Sequence, residues 1–156
     1  MEELFVYALF MRIGFDVENE YDELLDKLFM NDPENSDYLE LEILNGNISE
    51  SIVYIFTHSD TESFDTEKFG KFFVDLLRRF YESTISEFCG KSEKFVLEEF
   101  EEKSYDDIWQ FLPVHLQMKD PFYMLLYAGE PLSWGDVEHS KELYQKIFDY
   151  YKTGEE

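Results

Sequence analysis

The chain is poor in cysteine, proline, glycine and positive charge: one Cys, 4 Pro, 7 Gly and 13 Lys+Arg among 156 residues. A single cysteine, Cys89, cannot close an internal disulfide, which points to a reducing compartment. No Pro-, Gly- or Ser-rich linker, internal repeat or low-complexity tract divides the chain, so one domain spanning residues 1–156 is expected. No apolar run reaches the roughly 20 residues of a membrane span. The apolar opening Met1–Ile13 carries Glu2 and Glu3 where a secretory signal needs cations. The expectation is a soluble, cytoplasmic protein.

Motifs with strong local signatures are missing too. There is no Gly-rich phosphate loop ending in Lys and Ser/Thr, no G-x-S-x-G, no H-E-x-x-H, no C-x-x-C and no Asp-rich calcium loop. The three histidines, His58, His115 and His139, lie far apart in the sequence and read as structural or surface residues. Cys89 reads as a small hydrophobe packed under a helix. The dense stretch Glu98, Glu99, Glu101, Glu102, Asp106, Asp107 reads as a solvated helix face, because charges are seldom buried without partners. No catalytic residue, cofactor or metal site is expected.

The shortage of bases is the most telling one. Against 13 Lys+Arg stand 36 Asp+Glu, a net charge of −23. Such a charge repels nucleic-acid phosphates and anionic lipid headgroups and favours a cationic partner. It also exceeds what solubility requires of a small domain, a magnitude of roughly 2 to 8. The charge is uneven. Residues 1–67 hold 18 acids with only Arg12 and Lys27, a balance of −16, whereas residues 68–156 hold 18 acids and 11 bases, a balance of −7.

Apolar residues make up 44% of the chain, with 16 Phe and 11 Tyr, too many for a disordered acidic tail. Their spacing is helical. Leu4–Met11 is apolar all round and ends near Gly14, predicting a central buried helix. Tyr21, Leu24, Leu25, Leu28 and Phe29 fall on one face of a second helix, with Glu20, Asp22, Glu23 and Asp26 on the others and Pro33 as its stop. Residues 38–44 read as helical through Tyr38, Leu41 and Leu44, with Ser49 as a later cap and Ile48 stapled on Val53. The alternation of Leu39, Leu41 and Ile43 with Glu40 and Glu42, followed by Asn45-Gly46, leaves a β-hairpin around 38–57, and an α+β fold, as the alternative.

Asp65 is placed to cap a core helix through Phe69, Phe72, Phe73, Leu76, Leu77 and Phe80. Thr84–Cys89 either extends it or forms a short turn ending at Gly90. Another helix runs from Ser92 to Pro113, with a bend near Lys103-Ser104 where the apolar phase shifts. Asp120-Pro121 reads as a cap with proline at the first helical position, opening a short helix closed by Gly129. The last helix runs from near Asp136 to Gly154. The fold class expected is all-α, a bundle of about six to eight helices.

The C-terminal third carries Ile108-Trp109, Leu112-Pro113, Asp120-Pro121-Phe122, the run Tyr127 to Asp136 containing Leu-Ser-Trp-Gly-Asp, and Glu142-Leu143-Tyr144. This pattern resembles small acidic bacterial proteins encoded beside secreted polymorphic toxins, the immunity-type proteins. The resemblance covers roughly residues 100–150, with a weaker echo in the opening helices. It implies a protein that binds its cognate toxin and blocks it, and it supplies no catalytic residues. By its own residues the Leu132–Asp136 stretch reads as structural, with Trp134 in the core, Gly135 in a tight turn and Asp136 as a helix cap.

The leading expectation is an immunity protein that neutralises a basic toxin domain, a nuclease above all, through an acidic surface. The partner-binding candidates are Glu18, Glu20, Asp22, Glu23 and Asp26, with Glu40 and Glu42 as a second cluster and Tyr21 and Tyr38 as anchors, since tyrosine joins area to a hydrogen-bonding tip. The alternative is a phage or mobile-element DNA mimic that inhibits a restriction or CRISPR effector. An enzyme working through buried carboxylates comes third.

Overall fold

A computed structural model of the chain describes residues 1–152, and among them there is no strand. The protein is all-α. Among the described residues seven α-helices are eight residues or longer, in the expected range of six to eight, and two more are single turns. The chain divides into two compact units, Met1–Asp65 and a second beginning at Thr66.

The first unit holds α1 (Glu2–Met11), α2 (Glu18–Asn31), α3 (Ser36–Ile43) and α4 (Ile48–His58). Every residue of α1 from Leu4 to Met11 is buried, as an all-round apolar helix must be. Gly14, at φ +88°, ends it. The Phe15 N–H reaches Phe10 O at 3.1 Å, the Gly14 N–H reaches Met11 O at 3.0 Å, and the Phe10 and Phe15 rings meet at 6.1 Å. This is a Schellman closure with its usual apolar contact. Phe5 packs on Phe56 and Phe64, and Tyr7 meets Tyr21 edge-on.

The hairpin alternative at 38–57 is overturned. Asn35 caps α3 by accepting the Asp37 and Tyr38 N–H groups, and Asn47 caps α4 by accepting that of Glu50. Each cap satisfies amides that only a helix start leaves open. Of the alternating residues only Leu41 is buried, while Leu39 and Ile43 are exposed. The cap of α4 is therefore Asn47 rather than Ser49, and the expected staple is absent because Val53 points to solvent.

The second unit opens with the 22-residue α5 (Thr66–Glu87), which continues through Thr84. Its Phe69, Phe73, Leu76, Leu77 and Phe80 are buried as predicted. Ser92 caps α6 (Glu93–Glu102). The apolar phase shift at Lys103-Ser104 is absorbed by a π-helical turn, Lys103–Ile108, whose wider spiral rotates the following residues without breaking the helix. Short α7 (Val114–Gln117) and α8 (Leu125–Ala128) lead to α9 (Val137–Phe148), capped by Asp136 as expected. Phe100 is the hub of this unit, in ring contact with Phe80, Tyr81, Tyr144 and Phe148.

Five local expectations are corrected here. Trp134 is 64% exposed and does not fill the core, although Gly135 next to it does turn at φ +80°. Asp120-Pro121 is a cis peptide followed by a 3-10 turn, Phe122–Met124, rather than the cap of a regular helix. Gly129 keeps right-handed geometry and so does not close α8 in the left-handed way. Cys89 is exposed and not packed under a helix. The last helix, expected to run to Gly154, stops at Phe148 with Asp149 as its C-cap, and Gly154 itself lies outside the described residues.

Candidate functional site

Helix α2 sorts its side chains by angle. Successive residues turn by about 100°, so Tyr21, Leu25 and their neighbours face inward while Glu18, Asp22 and Asp26, four residues apart, form one stripe along an edge. Glu20 and Glu23 leave the helix in other directions. Helix α3 runs antiparallel beside that stripe: Glu42 reaches Asp26 and Asp22, the Asn45-Gly46 turn lies beside Glu18, and Asp32 acts on Tyr38. Two helices thus contribute one carboxylate group, Asp22, Asp26 and Glu42.

These three acids are held against their mutual repulsion. Partial burial, then a hydrogen bond to Asp26 and the charges of Asp26 and Asp22, push the Glu42 carboxyl above the ordinary range. Asp22 is raised by partial burial and then by Asp26. None of the ion pairs among the described residues includes Asp22, Asp26 or Glu42. Among the described residues no group of three or more His, Cys, Asp or Glu is arranged to hold a metal ion. A cationic side chain presented by another molecule could relieve the repulsion, since an opposite charge at close range favours the ionised form.

The structure separates Glu40 from Glu42. Two residues apart on a helix they point about 200° from each other, so the second cluster expected from the sequence does not form. Glu40 instead acts with Asp37 on Tyr54, whose hydroxyl donates to Asp37 Oδ1 at 2.7 Å. Burial first, and then that hydrogen bond and the two charges, push the Tyr54 phenol up to about 12. The Tyr54 ring stacks on His58 at 4.1 Å.

Tyr21 is corrected as an anchor. It is 2% exposed, a core residue whose phenol burial drives up to about 12. Its hydroxyl faces Ser51 without a hydrogen bond of normal geometry, while the Ser51 hydroxyl donates to Asn47 O at 3.0 Å. With Glu18 and Asp22 it lines a recess of about 300 Å³ at one end of the stripe. Tyr38 is half-buried and keeps part of its ring at the surface, its phenol raised by burial and by Asp32, Glu2, Asp37 and Glu3.

Sequence reasoning missed the apolar part of this face. Leu39 and Ile43 are exposed at 45% and 66% on the outer side of α3, and Met30 is exposed one turn beyond Asp26 on α2. The signal was present: once Tyr38, Leu41 and Leu44 are given to one helix face, Leu39 and Ile43 at i, i+4 have nowhere inward to go. Exposed aliphatic side chains bordered by carboxylates match the apolar centre and polar rim of a protein interface.

In the second unit the acidic stretch after Ser92 behaves differently. Glu98, Glu102 and Asp106 are exposed, and Glu101 is half-buried, its carboxyl raised by burial and then by Asp106, Glu102 and Glu98. No helix among the described residues is long and apolar enough to cross a membrane. Comparison with protein-family models, curated proteins and solved structures finds no match for the chain.

Proposed function

We propose that this protein acts by binding a basic protein partner through the α2–α3 face of its first unit, as an immunity protein that covers the cationic groove of a toxin domain. The observation that carries the reading is the unmatched carboxylate group Asp22, Asp26 and Glu42 beside exposed Leu39 and Ile43. A nuclease needs a cationic groove for phosphate, so an acidic inhibitor meets complementary potential where it must bind. The carboxylates steer the encounter, and the aliphatic side chains supply area that leaves water on docking. Of the residues expected at the interface, Glu18, Asp22, Asp26 and Glu42 belong to this face. Glu20 and Glu23 add to its field, and Glu40 and Tyr38 flank it.

The DNA-mimic reading draws on the same stripe, whose carboxylates rise about 6 Å per step of four residues. Only three acids fall in that row, and the aliphatic neighbours suit a protein surface better than a copy of a phosphate backbone.

The test is co-purification with a candidate basic toxin domain, sought among the products of neighbouring genes, repeated at 50 and 300 mM salt. Retention at low salt that drops at least tenfold at high salt supports the reading. Absence of binding, or binding indifferent to salt, overturns it.

A further inference from the structure

The second unit carries an open groove of about 920 Å³ between the α8 region and α9. Its α9 wall is a single helix face, Glu142, Gln145, Lys146 and Asp149 at i, i+3, i+4, i+7. Met124, Tyr127 and Asp120 line it from the α8 side, and Tyr150 completes the lining. The two walls are tied together beneath the groove, where the buried Ser140 hydroxyl donates to Ala128 O at 2.7 Å. The groove is therefore formed in advance rather than assembled by a ligand.

Two kinds of side chain in the lining reach the surface. Tyr127 and Tyr150 keep 37% and 38% of their surface exposed, while Tyr144 on the same helix as the carboxylates is buried. Asp120 and Glu142 take part in none of the ion pairs among the described residues, whereas Asp149 accepts from the Gln145 amide and pairs with Lys152. With Asp149 matched by Lys152, Asp120 and Glu142 still outweigh Lys146, which disfavours an anion. Aromatic faces carry negative potential and attract a cation laid over them. The carboxylate face spans seven residues of α9, about 10 Å at 1.5 Å per residue, the length of about three extended residues.

We propose that this groove docks an extended basic segment of a protein, seating one Arg or Lys side chain against Tyr127 with its charged head toward Glu142 and Asp120. The side-chain stem covers Met124, as long cationic side chains cover apolar surface elsewhere. The occupant is assigned by charge complementarity with Asp120 and Glu142 and by the openness of the groove to solvent. This site is separate from the α2–α3 face and stands whether or not that face binds a toxin.

The experiment is a fluorescence-polarisation titration of the full chain with a labelled five-residue Gly/Arg peptide, with a Gly/Glu peptide as control and spermidine as competitor. Tyr127→Ala and Glu142→Lys should each weaken the Arg peptide by roughly fivefold or more. Tyr127→Phe should retain binding, and Asp22→Lys in the first unit should leave it within twofold. If Tyr127→Ala lowers the melting temperature sharply, Glu142→Lys and Asp120→Asn, both at exposed acids, carry the test. The proposal is overturned if the Arg peptide does not bind, if Asp22→Lys weakens it as much as Glu142→Lys does, or if spermidine binds more tightly than the peptide.

Discussion

The two units hold similar numbers of acids but set them against different surroundings. The first, Met1–Asp65, has 17 Asp+Glu with Arg12 and Lys27, a balance of −15. The remainder has 19 Asp+Glu with 11 bases, a balance of −8. In the second unit several bases are matched to nearby acids: Arg78 bridges Asp75 and Glu82, Lys94 meets Glu98, Lys71 meets Glu67, and Lys141 pairs with Glu93 and Glu138. Exposed pairs of this kind add little stability each, yet they cancel the field. In the first unit Asp22, Asp26 and Glu42 have no such partner among the described residues, and partial burial, followed by the neighbouring carboxylates, raises the Asp22 and Glu42 carboxyls. A charge total says little about binding; where the matching charges sit says more.

The comparison can be broken first at the cores. Phe100→Ala removes the ring on which Phe80, Tyr81, Tyr144 and Phe148 converge. It should cost about 3–5 kcal/mol, read by hydrogen exchange across α5, α6 and α9. Stability lost by less than about 1 kcal/mol would deny the second unit its aromatic hub.

Removing the repulsion should act the other way. A carboxyl whose pKa is higher in the fold than in the unfolded chain weakens the fold while ionised. That weakening is present above the folded pKa and fades as pH falls through it. Asp22 and Glu42 are both raised, so Asp22→Asn and Glu42→Gln should each raise the melting temperature at pH 7 by roughly 1–3 °C. The gain should shrink as pH drops into the carboxylate range. Glu98→Gln in the second unit, which removes the partner of Lys94, should give no gain. A rise in melting temperature for Glu98→Gln as large as for Glu42→Gln would erase the distinction between the units.

The smallest effect separates packing from hydrogen bonding. Tyr21→Phe deletes a buried hydroxyl that lacks a hydrogen bond of normal geometry, so stability should change by less than about 1 kcal/mol and towards the more stable side. A loss above about 1 kcal/mol, measured by urea unfolding, would show that the Ser51 contact matters more than its geometry indicates.

Most of the fold was legible because helix periodicity and caps are local. The Leu4–Met11 helix, the Phe69–Phe80 face, the Ser92 and Asp136 caps and the phase shift at Lys103-Ser104 follow from neighbours in the chain. The misreadings involve tertiary choice. Whether Trp134 goes in or out, or whether Tyr21 anchors a partner or the core, depends on what packs above it, which spacing does not encode. The candidate face was half legible. Acids on α2 were evident from composition, while the pairing of Glu42 with Asp26 needed the antiparallel placement of α3, and the exposed Leu39 and Ile43 were masked by a pattern that also suits a strand.

The central claim is that the unmatched carboxylates of the first unit meet a basic partner. Calorimetric titration with a basic toxin domain that co-purifies with the chain should compare the wild type with the triple charge reversal Asp22→Lys, Asp26→Lys, Glu42→Lys, and with Glu67→Lys, Glu98→Lys, Glu138→Lys in the second unit. The account predicts roughly a hundredfold or greater loss of affinity for the first triple and no more than a fewfold loss for the second. Equal losses from the two triples, or no loss from the first, would contradict it.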